Sequence, residues 1–562
     1  MSQIRFFALG GLAENGKNMY IIDVDGDLFI LDAGIKYPSS ELYGVDEIIP
    51  DYRGLIRVKN RIKGFFMTHA HEDHIAALPH ILKDLNVPIY ATNFTMEIIK
   101  DTLKDEGYNL DDLKLHVVTQ NSIIKFGNVR VTFFNTTHSI PESIGVAIQT
   151  VRGSIVYTSD FTFDQSGDVR YQTDFGKISE ITEKNVLALL TESVGSMESK
   201  TSHMNQELDH KLNSIMANAS GRVLVSLFSS DLLKIQRVVD IALAHKKKIA
   251  IIGRKAQRIV DIAIEQGYLE IPEEALTNLR YIDEKNKNED NDIVALITGS
   301  RHEPFYMIQR MCKKSDRLIH INEHDTVIIM TAPVPGTEKM AARTIDVLFR
   351  SDAKVEVIDK KLLSYSHASG DEIKMMINML KPKYIIPVIG EYRHQYHVRK
   401  LAKQLGYKEE DVFIMDNGDV LTFEDKPFVS KKDIAVGDIL IDGTAVGDVN
   451  DYVLRDRELL AEDGALILVA HVDPRKKEIV GNVEVVTRGF VYVKEAEELL
   501  NAIKNEFLKI SKKHLSGKYI NWSEFKKDAK NVISKFIFQE TKRNPITIPV
   551  IISTEMNNEE GL

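Results

Sequence analysis

The stretch Thr68-His69-Ala70-His71-Glu72-Asp73-His74 decides how this chain is organised. Five of its seven side chains can bind a metal ion or a proton. A run from Ile62 to Met67 precedes it and predicts a buried strand, and apolar residues at helical spacing follow it between residues 75 and 82. The stretch is therefore expected in a strand-to-helix loop, where ligands can converge from a rigid base.

The spacing within this loop predicts two adjacent cations. His69 and His71 are two residues apart and can turn both imidazoles toward one ion, whereas Asp73 and His74 fall at the start of the helix and point to a neighbouring position. Paired ions of this kind clamp the attacking and leaving oxygens during hydrolysis. The alternative is a polar loop with solvated histidines, but three histidines and one aspartate within six residues rarely arise that way.

Length and composition narrow the class of protein. A chain of 562 residues predicts roughly three or four compact units. Cys312 is the single cysteine, so any metal must be held by histidine and carboxylate. We see no signal peptide and no run long enough to cross a bilayer, which predicts a cytoplasmic protein without membrane contact. The net charge of −10 argues against a surface that coats nucleic acid but allows a local basic groove.

Residues 4–35 alternate strand-like runs with turns, and Asp25-Gly26 between apolar runs predicts a hairpin. Strands and helices then alternate up to about residue 185. Asp32, His138 and Asp160 each follow a predicted strand, and layered α/β folds place their sites at the carboxyl ends of strands. Asp32 is expected to orient a metal-binding side chain without binding the ion itself.

The pattern changes from about residue 205, where longer helices between buried strands predict a second α/β unit. The segment 431–451 is rich in turn residues and predicts a linker or a hairpin crossover. Beyond it, two strands, the second over 483–493, then two helices and a closing strand predict a small α+β domain.

The first part of the chain resembles the metallo-β-lactamase fold, in which the ions lie between two sheets of a four-layer αβ/βα sandwich. Further short sequence motifs, spread over the whole chain, narrow the resemblance to the bacterial ribonuclease J family. These motifs are Ala8-Leu9-Gly10-Gly11-Leu12, Gly16-Lys17-Asn18, Asp32-Ala33-Gly34-Ile35-Lys36, Thr137-His138-Ser139-Ile140-Pro141, Thr298-Gly299-Ser300, Gly390-Glu391-Tyr392-Arg393, Met415-Asp416-Asn417-Gly418, Val453-Leu454-Arg455-Asp456-Arg457 and Arg488-Gly489-Phe490-Val491-Tyr492.

The resemblance implies an α/β architecture with an interrupted catalytic domain. The metallo-β-lactamase domain would occupy residues 1–204 and 351–430, and a β-CASP domain would be inserted at 205–350. A linker at 431–462 and a C-terminal assembly domain at 463–562 would follow.

The resemblance also implies the site residues. One zinc or manganese ion would be bound by His69, His71 and His138. A second would be bound by Asp73 and His74, with Asp160 bridging the two ions.

Asp73 would also hold the attacking water, and Glu192 matches the acidic residue that opens the β-CASP domain. The predicted catalytic residues are therefore Asp73, Glu192 and His367. The alternative for Glu192 is a solvated carboxylate at a strand end.

The chain departs from the family pattern at Ile389. Active members have a metal-binding histidine at this place, before the word Gly390-Glu391-Tyr392. An alkyl side chain has no lone pair to give, so we expect one well-formed cation site and a second that is weak or empty. The alternative is that a water molecule substitutes and activity survives.

A His-Thr-Ser-Gly-His loop that grips the scissile phosphate in active members is altered too. Counting back from Gly390 places it at Leu363-Ser364-Tyr365-Ser366-His367 and keeps the second histidine. Another register, His367-Ala368-Ser369-Gly370-Asp371, keeps the first. We prefer the first register because it needs no insertion; either way, one histidine of the pair is lost.

Of the other phosphate-binding motifs of the family, one is changed in this chain and one is kept. Ser229-Ser230-Asp231 stands where the resemblance implies a Ser-Asn pair, and the added carboxylate is expected to repel RNA phosphates. The word Thr298-Gly299-Ser300 keeps backbone N–H groups that can cradle a terminal phosphate. Arg301 either binds RNA or is a solvated surface charge. The predicted RNA-binding residues are Ser229, Ser300, Arg301, Ser364, Tyr365, Ser366 and His367.

Two functions follow from these residues. The first is a metal-dependent ribonuclease that cuts RNA internally and trims it from the 5′ end, in mRNA decay and rRNA maturation. The second is a catalytically degenerate subunit that binds RNA and supports an active paralogue. The chain looks like the second, weakly active paralogue of Firmicutes, so we predict a poor ribonuclease in a complex with its active paralogue. A lactamase or thioesterase on the same fold would not account for the β-CASP words.

The last domain is predicted to mediate assembly. Its apolar run Leu499, Leu500, Ile503, Phe507 and Leu508 suits a symmetric contact. The family resemblance implies that this domain mediates tetramers, so we expect a homodimer or tetramer. The alternative is that these residues only fill the core of the domain.

Overall fold

The structure, a computed structural model, describes residues 2–38, 42–165, 169–199, 204–277, 292–334, 336–363, 366–443, 445–446, 451–491 and 496–554. The chain divides into two compact units. The larger comprises residues 1–37 and 47–439, and the smaller comprises residues 38–46 and 440–562.

Two sheets form a sandwich in the larger unit. The eight-stranded sheet has, in spatial order, the strands Phe428–Ser430, Val420–Phe423, Ile4–Gly10, Met19–Val24, Asp27–Leu31, Ile62–Phe66, Ile89–Ala91 and Leu115–Val117. The six-stranded sheet has Tyr384–Val388, Val186–Glu192, Gly153–Tyr157, Ile144–Thr150, Val129–Asn135 and Ile123–Phe126.

Apolar side chains from both sheets form the core of the sandwich. Phe6 and Phe29 from one sheet join Phe133 and Val146 from the other in a single buried cluster. A second cluster lies between the six-stranded sheet and the helices Phe175–Thr182, Gly370–Leu380 and Tyr392–Gln404. Because both faces of this sheet are covered, its central strands are buried throughout, as Val186–Glu192 shows. This arrangement confirms the predicted αβ/βα sandwich.

The predicted hairpin at Asp25-Gly26 is confirmed. Strands Met19–Val24 and Asp27–Leu31 pair across it, and the two turn residues have φ of 52° and 95°. Positive φ at both positions gives a turn whose twist matches that of the paired strands, and Asp-Gly tolerates it.

A third sheet lies within the insertion between strands Val186–Glu192 and Tyr384–Val388. Its five strands are all parallel, as expected for a second α/β unit: Lys248–Ile252, Ile293–Gly299, Val223–Phe228, Thr326–Ile329 and Lys354–Val357. The last of these lies beyond residue 350, so the sheet extends into the segment that we assigned to the returning part of the lactamase domain. The helices of the insertion are Met204–Ala217, Leu232–Ala244, Arg254–Glu265, Glu303–Cys312 and Glu338–Phe349.

The single helix predicted after the His/Asp loop is wrong. The structure has two short helices, Glu72–Ile75 and Leu78–Ile81, and Pro79 lies in the first turn of the second. Proline is favoured there because its missing N–H is not needed in a first turn. The remaining elements of the unit are the strand Glu47–Pro50 and the helices Arg53–Ile56, Asn93–Asp105 and Lys360–Leu363.

In the smaller unit, two helices pack on one face of a three-stranded sheet. The strands in spatial order are Glu478–Arg488, Ala465–Asp473 and Ile546–Ser553, and the helices are Glu497–Leu515 and Trp522–Thr541. The second strand thus begins five residues earlier than predicted. Residues 441–442 and 445–446 pair as a hairpin, in agreement with the turn-rich segment, and the helix Asp451–Glu462 follows.

The apolar run in helix Glu497–Leu515 does not form a free surface. Leu500, Ile503 and Phe507 are buried in the core of the unit, and Leu499 and Leu508 pack against that core. The expectation that this run supplies an assembly surface is therefore wrong. Helical spacing shows which side is apolar but not whether that side faces the unit's own sheet.

Candidate metal centre and active site

The candidate centre is built from loops that follow strand ends in the sandwich. Loop 68–74 follows Ile62–Phe66, Asp32 follows Asp27–Leu31, His138 follows Val129–Asn135, and Asp160 follows Gly153–Tyr157. Asp32, Ser159 and Ile389 have positive φ of 62°, 55° and 48°. Such strain costs on the order of 1–3 kcal/mol per residue and collects at functional sites.

Three imidazoles predicted to bind one cation converge in the structure. Nδ1 of His71 lies 3.1 Å from Nε2 of His69 and 3.0 Å from Nε2 of His138. Together with a carboxylate oxygen of Asp160, these ring nitrogens all lie within 4.8 Å of one another. The structure therefore brings together the four residues that were predicted around the first ion.

Hydrogen bonds behind the rings determine which nitrogen faces the centre. His138 Nδ1 donates to the carbonyl oxygen of Ser366 at 2.7 Å, and His71 Nε2 donates to the carbonyl oxygen of Ser230 at 3.4 Å. The opposite nitrogens, those that face one another, consequently carry lone pairs.

Burial lowers the pKa of His71, and burial with neighbouring imidazoles holds the pKa of His69 and of His138 well below the usual range. These rings are neutral near pH 7. Neutral rings are the form in which histidine binds metals.

The residues present fit a divalent cation. Three lone pairs facing one another at about 3 Å repel unless a positive charge lies among them. Oδ1 of Asp160 is buried without a hydrogen-bond partner, although an unsatisfied buried carboxylate oxygen is costly. Burial opposes the ionisation of Asp160, yet His367 and His74 hold its pKa well below the usual range. Imidazole nitrogens and carboxylate oxygens are both ligands that zinc takes in proteins, and catalytic sites include three histidines.

The predicted second position is arranged differently. Nε2 of His74 lies 3.4 Å from Asp160 and 3.6 Å from Asp73, and the side-chain amide of Asn18 lies 3.2 Å from the same nitrogen. Neither Asp73 nor His74 belongs to a group of three or more convergent ligand atoms within the described part of the chain. The structure therefore places Asp73 and His74 next to the first ligand group, but these two residues do not form a second group of convergent ligands.

Asp32 lies beside His74, on the side away from Asp160 and Asp73. Its Oδ2 lies 2.8 Å from His74 Nδ1 and accepts a hydrogen bond from Tyr157 at 2.8 Å, while Thr68 donates to Oδ1. Burial opposes protonation of His74, but Asp73 and Asp32 raise its pKa well above the usual range.

Glu192 and His367 form a second group with Asp160. His367 Nδ1 donates to Glu192 at 2.8 Å and lies 3.7 Å from Asp160. The backbone N–H groups of Phe161 and Ala368 also donate to Glu192, at 2.7 and 2.9 Å. Burial raises the pKa of Glu192, and the two carboxylates raise the pKa of His367 well above its usual range, against burial. His367 therefore carries a proton near neutral pH beside the centre.

Ile389 follows strand Tyr384–Val388, which pairs with the strand that ends at Glu192. Its side chain is buried, with 2% exposed, in the core of the sandwich. Its carbonyl oxygen accepts hydrogen bonds from the N–H and hydroxyl of Ser193, at 3.0 and 2.9 Å. A β-branched residue with positive φ is a genuine outlier, so these bonds hold the backbone in an unusual conformation.

The predicted phosphate-binding residues are only partly free to bind phosphate. The N–H of Ser300 donates to the carboxylate of Glu303 at 2.9 Å, so it is already engaged. The guanidinium carbon of Arg301 lies 4.5 Å from the ring centroid of Tyr37, whose hydroxyl donates to Glu72. Arg301 thus contacts the lactamase part of the unit and is not simply a solvated surface charge.

The loops on either side of the centre show further differences. Asp231 caps the helix Leu232–Ala244 by accepting from the N–H of Lys234, and the two side chains form an ion pair at 2.5 Å. Its charge is therefore balanced, which weakens the expected repulsion of phosphate. Ser229 is buried, Ser366 contributes its carbonyl oxygen to His138, and Ser364 and Tyr365 lie outside the described residues.

Sequence reasoning missed the polar residues that support the ligands. Tyr157 and Thr68 bind Asp32, and the hydroxyl of Ser159 lies 3.3 Å from His69. Asn18 belongs to the motif Gly16-Lys17-Asn18, from which no role for its side-chain amide was predicted. The one signal available was the position of these residues next to predicted strand ends.

Comparisons with known proteins identify the domains of the chain. Family models match for a beta-lactamase superfamily domain at residues 49–206 and for the ribonuclease J beta-CASP domain at 220–348. Others match for a Zn-dependent metallo-hydrolase RNA specificity domain at 360–415 and for the ribonuclease J C-terminal domain at 452–554.

Two curated relatives match over almost their whole length. Ribonuclease J2 of Bacillus subtilis (strain 168) is 38% identical over 550 residues, and Ribonuclease J 2 of Staphylococcus epidermidis is 38% identical over 548 residues; each match covers 98% of both chains. A crystal structure of a protein of unknown function from Enterococcus faecalis V583 has a TM-score of 0.52 at 12% identity. That match covers 75% of this chain and 100% of the other, and it shows the fold alone.

The sandwich and its His/Asp centre define a metal-dependent hydrolase of the β-lactamase superfamily, and the matched RNA specificity domain makes it an RNA-specific one. The inserted β-CASP domain and the C-terminal domain narrow this class further. The chain belongs to the ribonuclease J family, and within it resembles the relatives of the second type.

No helix in the described residues is long and apolar enough to cross a bilayer. The cytoplasmic location stays a prediction.

Proposed function

We propose that this chain is a ribonuclease with weak intrinsic activity that works in a complex with an active paralogue of its family. The observation that carries the proposal is the buried alkyl side chain of Ile389 where active members have a metal-binding histidine. The loose grouping of Asp73 and His74 beside one tight group supports it.

We assign the residues around the first cation as its ligands. His69, His71, His138 and Asp160 would hold zinc or manganese, and a second ion at Asp73, His74 and Asp160 would be weak or absent. A bound divalent cation supplies Lewis acidity and an acidified water for hydrolysis of a phosphodiester.

The chain's own residues then position substrate and protons. Asp73, whose side chain is 42% exposed, accepts a hydrogen bond from the attacking water and orients it. His367, 35% exposed, keeps its proton through Glu192 and Asp160 and donates it to the departing oxygen or to a phosphate oxygen. The N–H groups that donate to Glu192 hold its carboxylate in place beside His367. The carboxylate keeps His367 protonated, so that His367 can act as a general acid.

The substrate range follows the family. We propose cleavage of RNA both internally and in the 5′-to-3′ direction, in mRNA decay and rRNA maturation, as the family resemblance implies. Ser229, Ser300, Arg301 and the loop 364–367 remain our candidates for phosphate binding. Of these, Ser300 requires Glu303 to move away before its N–H can donate to a phosphate.

The second candidate function is a degenerate subunit that binds RNA and supports its paralogue. The loss of one histidine from the loop 363–371 favours it, because the scissile phosphate then loses a donor. Both functions place the chain in the same complex, and they differ in whether the purified chain cleaves RNA.

Assembly is proposed through the smaller unit. Helices cover the sheet face of Leu466 and Leu468, while the opposite face has Ile548 and Ile552 exposed by 44% and 42%. Ile548 pairs with Ile467 in the neighbouring strand, so the apolar residues are contiguous. A second copy of this chain, or the paralogue, would bury this face in a dimer or tetramer.

The experiment is cleavage of a 5′-monophosphorylated single-stranded RNA by the purified chain across a manganese titration, with and without the active paralogue. We expect slow, manganese-dependent cleavage alone and faster cleavage in the mixture than the paralogue gives by itself. No cleavage at any manganese concentration, with RNA binding intact, would favour the degenerate subunit. A rate equal to that of the paralogue would contradict weak activity.

A further inference from the structure

The smaller unit concentrates lysines at one end of its two helices. Between residues 504 and 535 the chain has nine lysines and three carboxylates, although its net charge is −10. We call this surface the basic end. It comprises Lys512 and Lys513 near the end of helix Glu497–Leu515, Lys518 and Tyr519 in the following loop, and Lys526, Lys527 and Lys530 in the next helix, with the turn Arg475-Lys476-Lys477.

Contacts within the unit hold these separate segments together. Nζ of Lys477 donates to the carbonyl oxygens of Gly517 and Lys518 at 2.8 and 3.3 Å, which joins the strand turn to the helix loop. His514 lies 3.0 Å from Asp528 and joins the two helices. The strand turn, the end of the first helix and the start of the second helix, which carry these cations, are therefore next to one another.

Most of the positive charge at the basic end is unbalanced. Asp528 faces two basic side chains, His514 and Lys513, the latter at 3.8 Å. Five further lysines of the basic end are exposed, and none of them forms an ion pair with a carboxylate among the described residues. They are Lys512, Lys518, Lys526, Lys527 and Lys530. A cluster of this kind attracts polyanions even when the whole protein is acidic.

An aromatic ring and a groove complete the surface. Tyr519 is 84% exposed, and Nζ of Lys518 lies 6.0 Å from its ring centroid. Lys477 and Lys512 line a groove together with one carboxylate, Glu478, and the apolar residues Leu508 and Leu515. Cations along a groove with an exposed aromatic ring suit single-stranded nucleic acid, because phosphates follow the charges and an unpaired base stacks on the ring.

We propose that the basic end is a second RNA-binding surface, separate from the metal centre, that holds a single-stranded part of the substrate. The inference rests on the proposed ribonuclease function for its ligand and adds a site in the C-terminal unit to it. Bound there, an RNA would be retained between successive encounters with the centre.

The test measures binding of a fluorescein-labelled single-stranded RNA of 25 nucleotides to the full-length protein in EDTA, by fluorescence anisotropy at several salt concentrations. The test variant is Lys512→Ala/Lys526→Ala/Lys527→Ala. A matched variant, Lys83→Ala/Lys114→Ala/Lys125→Ala, removes the same charge from exposed lysines of the larger unit. Thermal unfolding of each variant checks that folding is unchanged.

We expect the dissociation constant of the test variant to rise about tenfold, and the slope of log K against log salt to fall by about 2, since each phosphate contact on a single strand contributes about 0.7. The matched variant should bind like the wild type. In Tyr519→Ala, affinity should fall for the single strand and not for an RNA duplex of equal length.

Equal affinity of the test variant, the matched variant and the wild type would overturn the inference. So would unchanged RNA binding by the test variant combined with lost binding to phosphatidylglycerol vesicles, which would identify a membrane surface instead. Failure of the wild type to cleave any RNA, with this binding pattern intact, would refute the ribonuclease function and leave the second binding surface standing.

Discussion

The backbone N–H of Ile389 lies 3.1 Å from the hydroxyl of Tyr20, and this contact links the loop after strand Tyr384–Val388 to the metal centre. The same hydroxyl donates to Asn18 at 2.9 Å, and the amide of Asn18 lies 3.2 Å from His74. Burial raises the pKa of Tyr20 well above its usual range, so the hydroxyl keeps its proton. The position of Ile389 is thus tied to His74 through two polar side chains, although Ile389 itself offers no ligand atom.

Restoring a donor at this position should restore chemistry. In Ile389→His, and further in Ile389→His/Leu363→His, we expect manganese-dependent cleavage of RNA to increase by about tenfold or more, because the new imidazole would give the second cation position the ligand that Ile389 lacks. Ile389→Val is the control, since it keeps a β-branched side chain without a lone pair. Initial rates on a 5′-monophosphorylated RNA measure the effect. A wild-type rate equal to that of the histidine variant would show that the second position is not damaged.

The first ion should be essential for whatever activity the chain has. His71→Ala removes one of three convergent imidazoles, so cleavage should fall to background. His80→Ala serves as the control, because His80 lies in the helix Leu78–Ile81 outside the ligand group. An unchanged rate in His71→Ala would trace the activity to a contaminating nuclease.

The support given by Asp32 should be measurable apart from activity. Asp32→Asn keeps the shape and tolerates the positive φ of 62° but removes the charge that faces His74. We expect metal to be lost to a competing chelator at about 10–100-fold lower chelator concentration. Asp25→Asn, a change at positive φ in an exposed hairpin turn, is the matched control. Equal metal retention in both variants would contradict the role of Asp32.

A buried carboxylate outside the centre gives a prediction about pH. Asp419 is 1% exposed and accepts from Lys431 at 2.6 Å and from the N–H of Asp416 at 3.0 Å. Burial opposes its charge, but these donors lower its pKa. Asp419→Asn should lower the free energy of unfolding by about 2 kcal/mol at neutral pH.

The pH dependence of this effect follows from the direction of the shift. A lowered pKa gives stability that is present above the unfolded-state pKa and is lost as pH falls through the folded-state pKa. Thermal unfolding midpoints of Asp419→Asn and the wild type should therefore converge in acid, whereas the exposed control Asp416→Asn should match the wild type throughout. A difference that persists unchanged in acid would show that the charge of Asp419 is not what stabilises the fold.

The exposed sheet face of the smaller unit should mediate assembly. Ile548→Asp/Ile552→Asp puts charge into this face, so the mass measured by light scattering should fall toward that of one chain. Val532→Asp/Phe538→Asp, on exposed positions of helix Trp522–Thr541, is the control. A chain that ends near residue 450 should behave like the sheet variant. Unchanged mass in both would refute assembly through this unit.

The parts of the site that could be predicted were those encoded by local spacing. His69 and His71 lie two apart at a strand end, and His138 and Asp160 each follow another strand, so the fold had to bring them to one edge. The hydrogen bonds from Tyr157 and Thr68 to Asp32 could not be predicted, because they depend on which strands become neighbours. Local pattern carries no information about those distant partners.

The errors have the same physical origin. The apolar stripe around Phe507 has the spacing of any amphipathic helix, and only the sheet beneath it shows that the stripe is internal. Likewise, the loop at Ser300 has the residues of a phosphate cradle, but Glu303 occupies its N–H through a contact three residues away. Pro79 divides the predicted helix because a new helix starts at that point.

The measurement that tests the central claim most directly is the number of metal ions bound per chain, determined by elemental analysis after equilibration with manganese and with zinc. Our account predicts one ion in the wild type and in Ile389→Val, and two in Ile389→His. Two fully occupied ions in the wild type would contradict it.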